Sequence, residues 1–259
     1  MNSGFAPVAV LKLGGSVLTS LPAYARTAAF LAEEIGKTPG RRLVAVVSAE
    51  HGHTDELADE ARHLASVPDP TALDLLWATG ELRSVALLTL ALREIGTAAA
   101  GLDAHQTGLR VPRVNGSQEA LSFNLLTLRA ALARHDVVVV PGFVATRHQQ
   151  LVTLGRGGSD LSAVLIAAAL EASECVLIKD VDGYFTGDPA TCPDARQIDR
   201  LTYAEALAKA EAGCPLVQRQ ALEAGKRANL RLTVRSVTGM GTTVSSGPQA
   251  PAYNEFCRA

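Results

Sequence analysis

The sequence has few aromatic residues and almost no net charge. Aromatic side chains make up 4% of its 259 residues, and 24 Lys and Arg stand against 26 Asp and Glu, a formal net charge of −2. No whole-chain positive field exists to attract nucleic acid or anionic lipid. The sequence therefore predicts small-molecule partners, with no nucleic acid and no membrane among them.

The four cysteines form no metal-site pattern. None belongs to a Cys-x-x-Cys pair, and none has a histidine at zinc-finger spacing. They are interpreted as free thiols, and no metal ligand is predicted among them. The cysteines are Cys175, Cys192, Cys214 and Cys257.

A targeting segment is also missing. The first residues hold no cationic region followed by a signal-type apolar core. Longer apolar stretches such as 163–170 fall short of the ~20 residues that a membrane-spanning helix needs. A cytoplasmic location is therefore expected.

The sequence is rich in short apolar runs that alternate with segments of helical spacing. This alternation is typical of an α/β fold. The run 137–140 is four consecutive valines, which indicates a strand covered on both faces and thus a mainly parallel sheet. We predict a three-layer α/β/α sandwich with a mainly parallel central sheet. The predicted strands are Val8–Leu13, Leu43–Val47, Val137–Val140, Glu174–Ile178 and Leu230–Val234.

Five helices are predicted from apolar stripes: Pro22–Ile35, Thr71–Ile95 with a break near Gly80, Asp160–Ala172, Tyr203–Ala212 and Gln218–Ala228. Asp160 and Thr202 are predicted to cap two of them, since short oxygen-bearing side chains accept the free amides of a first turn. Segment 142–155 is interpreted as a hairpin or loop. The tail after Gly239 is predicted to lie on the surface, with its last ~10 residues loosely held. The whole chain, 1–259, is predicted to be one domain with two lobes.

The first chemical motif is Lys12-Leu13-Gly14-Gly15-Ser16, directly after the first strand. Adjacent glycines let backbone amides approach an anion, a following helix adds its positive end, and Lys12 adds a full charge. The motif suits a polyphosphate, although a plain strand-to-helix turn is the alternative interpretation.

The second motif is Leu154-Gly155-Arg156-Gly157-Gly158-Ser159-Asp160, which opens another predicted helix. It combines an anion-binding loop, an arginine suited to a carboxylate, and a carboxylate able to orient cations. A purely structural loop is the alternative, but such a loop seldom needs all of these groups.

The third motif runs from Lys179 through Asp180, Asp182 and Tyr184 to Asp188. Acidic groups at a strand end followed by an aromatic residue suit the ribose and base of a nucleotide. Because Asp-Gly is also a common turn, a hairpin turn is the alternative for this motif taken alone.

In order and spacing, these motifs resemble the amino acid kinase family, and within it the catalytic domain of aspartate kinase. The resemblance covers nearly the whole chain. Further matches are Val46–Ala49 with Thr54–Leu57, similar to the family's "VSA…TDEL", then Ala78–Glu81, similar to "STGE", and Pro141–Phe143 before the Gly-rich loop.

The resemblance implies a role for each motif. Lys12, Gly14, Gly15 and Ser16 would hold the transferred phosphoryl group, while Asp160 would orient the lysine. Thr54, Glu81 and Arg156 would bind the amino acid, together with Ser48, Gly157, Gly158 and Ser159. Lys179, Asp180, Asp182, Tyr184 and Asp188 would line the nucleotide site.

These roles agree with the chemistry of the acceptor-binding side chains. Arg156 can bind an α-carboxylate bidentately, Glu81 can pair with an α-ammonium, and Thr54 can donate a hydrogen bond to a carboxylate. Three such groups would select a zwitterion.

The resemblance further implies ATP and Mg²⁺ as cofactors, with the metal carried mainly by the ATP phosphates. It implies an N-terminal acceptor lobe, a C-terminal nucleotide lobe (about 150–259), and a homodimer or higher homo-oligomer. The expected reaction converts aspartate to 4-phosphoaspartate. It needs no base and no covalent enzyme intermediate, because the acceptor carboxylate is already ionised.

Two departures from aspartate kinases concern the acceptor side. The opening Leu-Gly-Gly-Ser-Val-Leu-Thr is closer to relatives that phosphorylate isopentenyl phosphate, uridylate or glutamate. A kinase of a phosphate or phosphonate acceptor is therefore the alternative function. The segment Glu50–His53 replaces a Met-Gly-Lys-Thr-like stretch, so His51 and His53 are either functional or ordinary loop histidines.

Two further departures concern the second half. Pro215 stands where aspartate kinases supply a second phosphate-contacting lysine, for which Lys179, Arg219 or Lys226 are candidate replacements. A degenerate ligand-binding member without turnover is the corresponding alternative. The sequence also ends where aspartate kinases continue into regulatory domains, so feedback inhibition by lysine or threonine is not expected.

Overall fold

The computed structural model describes residues 7–111, 122–155, 157–214 and 216–247. Its strands are β1 Val8–Leu13, β2 Arg42–Val47, β3 Ala99–Gly101, β4 Leu109–Arg110, β5 Ser122–Phe123, β6 Val137–Pro141, β7 Val144–Arg147, β8 Gln150–Thr153, β9 Glu174–Ile178, β10 Arg200–Thr202, β11 Leu232–Arg235 and β12 Thr242–Ser245. Its helices are α1 Leu21–Gly36, α2 His53–Leu64, α3 Pro70–Glu94, α4 Ala104–Thr107, α5 Leu126–Leu132, α6 Gly158–Leu170, α7 Tyr203–Glu211 and α8 Arg219–Arg227.

The central sheet has eight strands in the order β10-β12-β11-β9-β1-β2-β6-β3. From β11 to β3 every neighbouring pair is parallel. At the other edge, β12 runs antiparallel to β11 and β10 runs parallel to β12. The predicted mainly parallel sheet is confirmed.

Two hydrophobic cores cover the two faces of this sheet. Alternate residues of a strand point to opposite faces, so Leu43, Ala45 and Val47 of β2 pack with α1 and α3, whereas Val44 and Val46 pack with the side of α5, α6, α7 and α8. Helices therefore lie on both faces, and the predicted three-layer α/β/α sandwich is confirmed.

A small second sheet, in the order β5-β4-β7-β8, stands beside the main one. Strands β7 and β8 pair antiparallel, with Val144 opposite Thr153, which confirms the hairpin predicted for 142–155. The hydroxyl of Thr153 donates to the carboxylate of Asp74 on α3 at 2.6 Å, and the Trp77 and Phe143 rings lie 6.1 Å apart. These contacts fix the hairpin against α3.

The predicted helix break near Gly80 is wrong, because α3 runs uninterrupted through that residue. A Cβ at Gly80 would lie 3.1 Å from both the Ala49 and the His53 side chains. Gly80 is therefore explained by close packing of α3 against the end of β2 and the start of α2, and not by a helix end.

Helix α3 is long and apolar enough to cross a membrane by length and composition, so the expectation of short apolar stretches alone is wrong here. It packs against α1, α2 and β8, and it buries Glu81, Ser84 and Leu88. Core helices of soluble proteins have the same composition. The contacts of α3 are those of such a core helix.

The two predicted helix caps had different outcomes. Thr202 caps α7 in a reciprocal capping box with Glu205, as predicted. Asp160 is not a cap: α6 begins at Gly158 with Gly157 as its N-cap, and Asp160 lies inside the first turn. Its carboxylate binds lysine side chains instead.

Two predictions for the C-terminal end also had different outcomes. The predicted strand Leu230–Val234 is found as β11, which starts two residues later. The predicted surface tail is wrong for residues 242–245, since they form β12, in which Val244 is fully buried. Residues 248–259, which include Cys257 and the last ten positions, lie outside the described part of the chain.

Candidate active site

The sequence motifs meet at one edge of the central sheet. Strands β9, β1, β2 and β6 are adjacent and parallel, so their carboxyl ends, and the loops that follow them, lie side by side. In open α/β sheets ligands bind at this edge. The loops carry the Gly14–Ser16 motif, residues 48–52, Gly142 and Lys179.

A buried carboxylate between two lysines forms the centre of the site. Asp160 Oδ1 lies 3.1 Å from Lys12 Nζ, and Asp160 Oδ2 lies 2.7 Å from Lys179 Nζ. Asp160 and Lys12 are 3% and 7% exposed. We call Lys12, Asp160 and Lys179 the charge cluster.

The charges of the cluster support one another. Burial disfavours the ionised form of Asp160, but Lys12 and Lys179 overcome this effect and hold its pKa below its ordinary value. Burial, with the nearby charge of Lys12, lowers the pKa of Lys179, although Asp160 opposes the change. The cluster is an ionic site and not an apolar part of the core.

The glycines after β1 permit close packing around the cluster. A Cβ at Gly14 would lie 3.3 Å from Lys12 Nζ, and one at Gly15 would lie 2.7 Å from the backbone oxygen of Ala49. Helix α1 begins at Leu21, one residue before the predicted start at Pro22, so residues 17–20 separate the motif from the helix. The exposed Ser16 lies in the turn after β1.

Glu81 is a buried carboxylate with an unused oxygen. Its side chain lies on α3 at 3% exposure, and its Oε2 has no hydrogen-bond partner among the described residues. Burial raises its pKa well above the ordinary value, although the charge of Lys12 and the Ala49 amide act in the opposite direction. A buried polar atom without a protein partner leaves a position that a bound ligand or water can fill.

The other predicted acceptor residues in the described part of the chain belong to different elements. Ser48 donates from its Oγ to Ser159 Oγ at 3.1 Å. Gly158 and Ser159 are buried in the first turn of α6, whose N-cap Gly157 has a φ of 75°. Thr54 is the second residue of α2, a helix that the sequence reasoning missed. Arg156 lies outside the described residues, and so does Pro215.

The predicted nucleotide-site residues differ from one another in exposure and in hydrogen-bond partners. The structure brings Lys179 to the charge cluster and leaves Asp180 exposed beside it. Asp182 has a buried Oδ1 without a hydrogen-bond partner among the described residues, and Asp188 accepts the amide of Ala190 in an exposed turn. Tyr184 is 1% exposed and belongs to the core, so its ring presents no face to solvent.

A groove of about 350 Å³ lies beside Lys179 and Asp180. Its walls include Ser16, Arg26, Phe30 and Ser236. Sequence reasoning missed Arg26 and Ser236, because neither belongs to a glycine-rich or acidic motif. Only the packing of α1 against the loop after β11 brings them to this edge.

The unusual segment after Ser48 is held by one ion pair and one side-chain hydrogen bond. Glu50 Oε1 lies 2.6 Å from Arg83 Nη1, and His53 Nδ1 lies 3.0 Å from Glu56 Oε2 within α2. His51 is exposed. In the part of the chain that the structure describes, no group of three His, Cys, Asp or Glu side chains is arranged to hold a metal.

Known proteins resemble the chain over most of its length. The aspartokinase of Mycolicibacterium smegmatis is 36% identical over 229 residues, which are 88% of this chain and 54% of that protein. The chain thus spans about half the length of the curated relatives it matches. The crystal structure of aspartate kinase from Synechocystis matches with a TM-score of 0.82 at 34% identity, covering 94% of this chain and 41% of that one.

A shorter solved protein shares the fold. Uridylate kinase from Archaeoglobus fulgidus matches with a TM-score of 0.64 at 20% identity, covering 92% of this chain and 99% of that chain. At this identity the likeness concerns the fold alone. The sequence model of the amino acid kinase family matches residues 7–236, which confirms the resemblance inferred from the motifs. The chain belongs to the amino acid kinase family.

Proposed function

We propose that this protein transfers the γ-phosphoryl group of ATP to the side-chain carboxylate of a small amino acid, with free aspartate as the leading acceptor. The observation that carries the proposal is the unpartnered buried carboxylate oxygen of Glu81 near the charge cluster, within the described part of the chain. A bound α-ammonium would supply the missing partner of Glu81. The cluster supplies cations for phosphates.

The relatives support this choice of acceptor. The relatives described above that are more than 30% identical to this chain are named aspartokinase or aspartate kinase. Their whole lengths exceed this chain, so the activity stays a proposal here. Ser48, Thr54, Arg156, Gly157, Gly158 and Ser159 are proposed to complete the acceptor site.

Transfer would need positioning and charge neutralisation more than proton chemistry. An acceptor carboxylate oxygen attacks the γ-phosphorus, the bond to the bridging oxygen of ADP breaks, and the ADP oxygen takes the electron pair. The acceptor is already an anion at neutral pH, so no proton has to be removed. Closure of the two proposed lobes would keep water from the acyl phosphate.

Mg²⁺ is proposed to be carried mainly by the ATP phosphates. Asp160 is the buried carboxylate of the charge cluster, and both of its oxygens already face lysine ammonium groups. Mg²⁺ characteristically keeps waters and substrate phosphates as ligands, with only one or two carboxylates. When bound, it would neutralise part of the phosphate charge.

The nucleotide is proposed to lie over the loops after β9 and β11. Asp180, Asp182 and Asp188 remain candidates, whereas the buried ring of Tyr184 supports a role in shaping the wall and not in stacking on a base. The division into an acceptor lobe and a nucleotide lobe (about 150–259), the homo-oligomer and the cytoplasmic location are retained as parts of the proposal.

The first test is ADP release from Mg-ATP with a panel of amino acids and small phosphorylated acceptors, with any acyl phosphate trapped by hydroxylamine. We expect aspartyl hydroxamate from the wild type and its loss in Arg156→Ala. Turnover with other amino acids only would change the acceptor within the same class. A silent panel would instead support the degenerate alternative.

A phosphate or phosphonate acceptor is the second candidate function. The Leu-Gly-Gly-Ser-Val-Leu-Thr opening favours it. Glu81 opposes it when its carboxyl group is ionised, because the carboxylate then repels an anionic acceptor that has no amine. Turnover with a phosphorylated acceptor, unaffected by Glu81→Gln, would establish this alternative.

A further inference from the structure

We propose that Lys179 is the second cation that contacts the transferred phosphoryl group, a role that aspartate kinases are expected to give to a lysine at the position of Pro215. The inference rests on the proposed phosphoryl transfer and assigns to Lys179 a catalytic role in it. It replaces the expectation that Lys179 only lines the nucleotide site.

The parallel pairing of β1 and β9 places the two lysines on the same side of the sheet. Lys12 stands opposite Leu177 in this register, and Lys179 follows the last residue of β9. In β1, Leu11 and Leu13 face the α1 side of the sheet, so Lys12 between them points to the α6 side. In β9, Leu177 faces the α6 side, and Lys179 lies two positions after it in the chain. The first turn of α6 brings Asp160 between them.

Within the charge cluster two ammonium groups share one carboxylate, while Glu81 interacts electrostatically with Lys12 and Asp180 with Lys179. Asp160 can neutralise one ammonium group, but it binds two, with Lys12 at 3.1 Å and Lys179 at 2.7 Å. The side chain of Lys179 is 17% exposed, and that of Lys12 is 9% exposed. Two partly desolvated cations held by one carboxylate form a suitable site for an anion of more than one charge.

The glycine turn fixes where that anion would lie. A Cβ at Gly14 would come within 3.3 Å of Lys12 Nζ and within 3.7 Å of the backbone oxygen of Ile178, the residue before Lys179. The space above Gly14 is therefore bordered by both lysine-bearing strands. A phosphoryl group at this glycine would contact cations from both sides.

The two other candidates for the missing charge are engaged or located elsewhere. Arg219 is exposed on α8 and pairs with Glu211 and Glu223. Lys226 is exposed in the last turn of α8. Of the three candidates, Lys179 is the one that the structure joins to Asp160.

The proposed role of Lys179 is to stabilise the negative charge that shifts during phosphoryl transfer. As the bond between γ-phosphorus and the ADP oxygen breaks and the bond to the acceptor carboxylate forms, negative charge shifts toward the ADP oxygen. Lys12 and Lys179 would neutralise the phosphoryl oxygens from two sides. No proton is transferred, and Asp160 holds both ammonium groups in place.

The deciding experiment compares Lys179→Met with Lys226→Met, a matched loss of one exposed lysine. Calorimetry in the presence of Mg²⁺ gives the dissociation constants of ADP and of AMPPNP, which adds a γ-phosphoryl group. We expect Lys179→Met to reduce the preference for AMPPNP over ADP by about tenfold or more, the size of a charged hydrogen bond. Lys226→Met should retain the wild-type preference.

Kinetics provides a second measurement. If aspartate is turned over, Lys179→Met should lower kcat about 100-fold or more, as loss of one charge-stabilising donor does, with KM for aspartate changed by less than about threefold. A merely structural role would alter KM and the binding of both nucleotides together.

A wild-type-like preference for AMPPNP in Lys179→Met would overturn the assignment, as would an equal loss in Lys226→Met. If Lys179→Met does not fold, Lys179→Gln decides the question, because it keeps a donor for Asp160 and removes only the charge. The calorimetric comparison needs no acceptor. An inactive wild type with aspartate would therefore reject the proposed acceptor without affecting the test of Lys179.

Discussion

Replacing Glu81 with glutamine should change both acceptor binding and the pH dependence of stability. The Glu81 side chain is 3% exposed, and its Oε2 has no hydrogen-bond partner among the described residues. Burial raises its pKa well above the ordinary 4.5. Glutamine keeps the shape and removes the ionisation.

The sign of the stability effect follows from this raised pKa. Folding stabilises the protonated form of Glu81 relative to the unfolded chain, so that contribution is complete below about pH 4.5 and is lost as the pH rises through the folded-state pKa. When the folded and unfolded pKa values of a carboxyl group differ by one, the unfolding free energy changes by about 1.4 kcal/mol. The difference in unfolding free energy between wild type and Glu81→Gln should therefore move in favour of the variant as the pH rises above about 4.5.

Aspartate binding, in contrast to stability, should become weaker in Glu81→Gln. Loss of one member of a buried charge pair costs about 2–4 kcal/mol, which is roughly a 30- to 700-fold increase in KM for aspartate. Urea unfolding of both proteins at three pH values measures the first effect, because titrations common to both cancel. Coupled ADP release measures the second. An unchanged KM in the variant would refute the pairing of Glu81 with the ammonium group, and parallel pH curves would refute its buried titration.

Three further predictions follow from the same site. Asp160→Asn should lower the unfolding free energy by about 3–5 kcal/mol and abolish turnover, because it leaves two buried ammonium groups without a counter-charge; urea unfolding and ADP release measure both effects, and a wild-type midpoint would contradict them. Gly15→Ala should reduce kcat strongly, since its Cβ would lie 2.7 Å from the Ala49 oxygen, whereas Gly36→Ala, with nothing within 4 Å, should leave kcat unchanged. Tyr184→Phe should leave the dissociation constant of ADP within about twofold, because it removes only the hydroxyl group of a side chain that is 1% exposed; a large loss in calorimetry would show that this hydroxyl group contacts the nucleotide.

Much of the fold was predictable from the sequence because buried strands have a local signature. The bounds of β1 and β9 agree with the predicted runs at both ends. Consecutive valines in β6 correctly indicated a strand covered on both faces. Strands β4 and β5 and helix α2 were missed, since each of these strands has only two residues and α2 buries only Leu57 and Ala61.

Two of the errors, at Gly80 and Asp160, share a physical cause. Gly80 and Asp160 were assigned local roles, a helix break and a helix cap, that these residue types often have. In the fold their environment is decided by residues distant in sequence: Ala49 packs on Gly80, and Lys12 and Lys179 bind Asp160. Local propensity is overridden where tertiary contacts provide a stronger interaction.

The sequence by itself determined the class of fold, the family and most of the candidate residues, because apolar periodicity and glycine-rich motifs are local patterns. Only the tertiary structure decided which charges meet. Lys12, Asp160 and Lys179 come together because parallel pairing of β1 and β9 puts two strand ends side by side, with α6 packed across β1. The partner of a charged side chain depends on distance in space, and that distance is set by packing and not by the residues next to it in the chain.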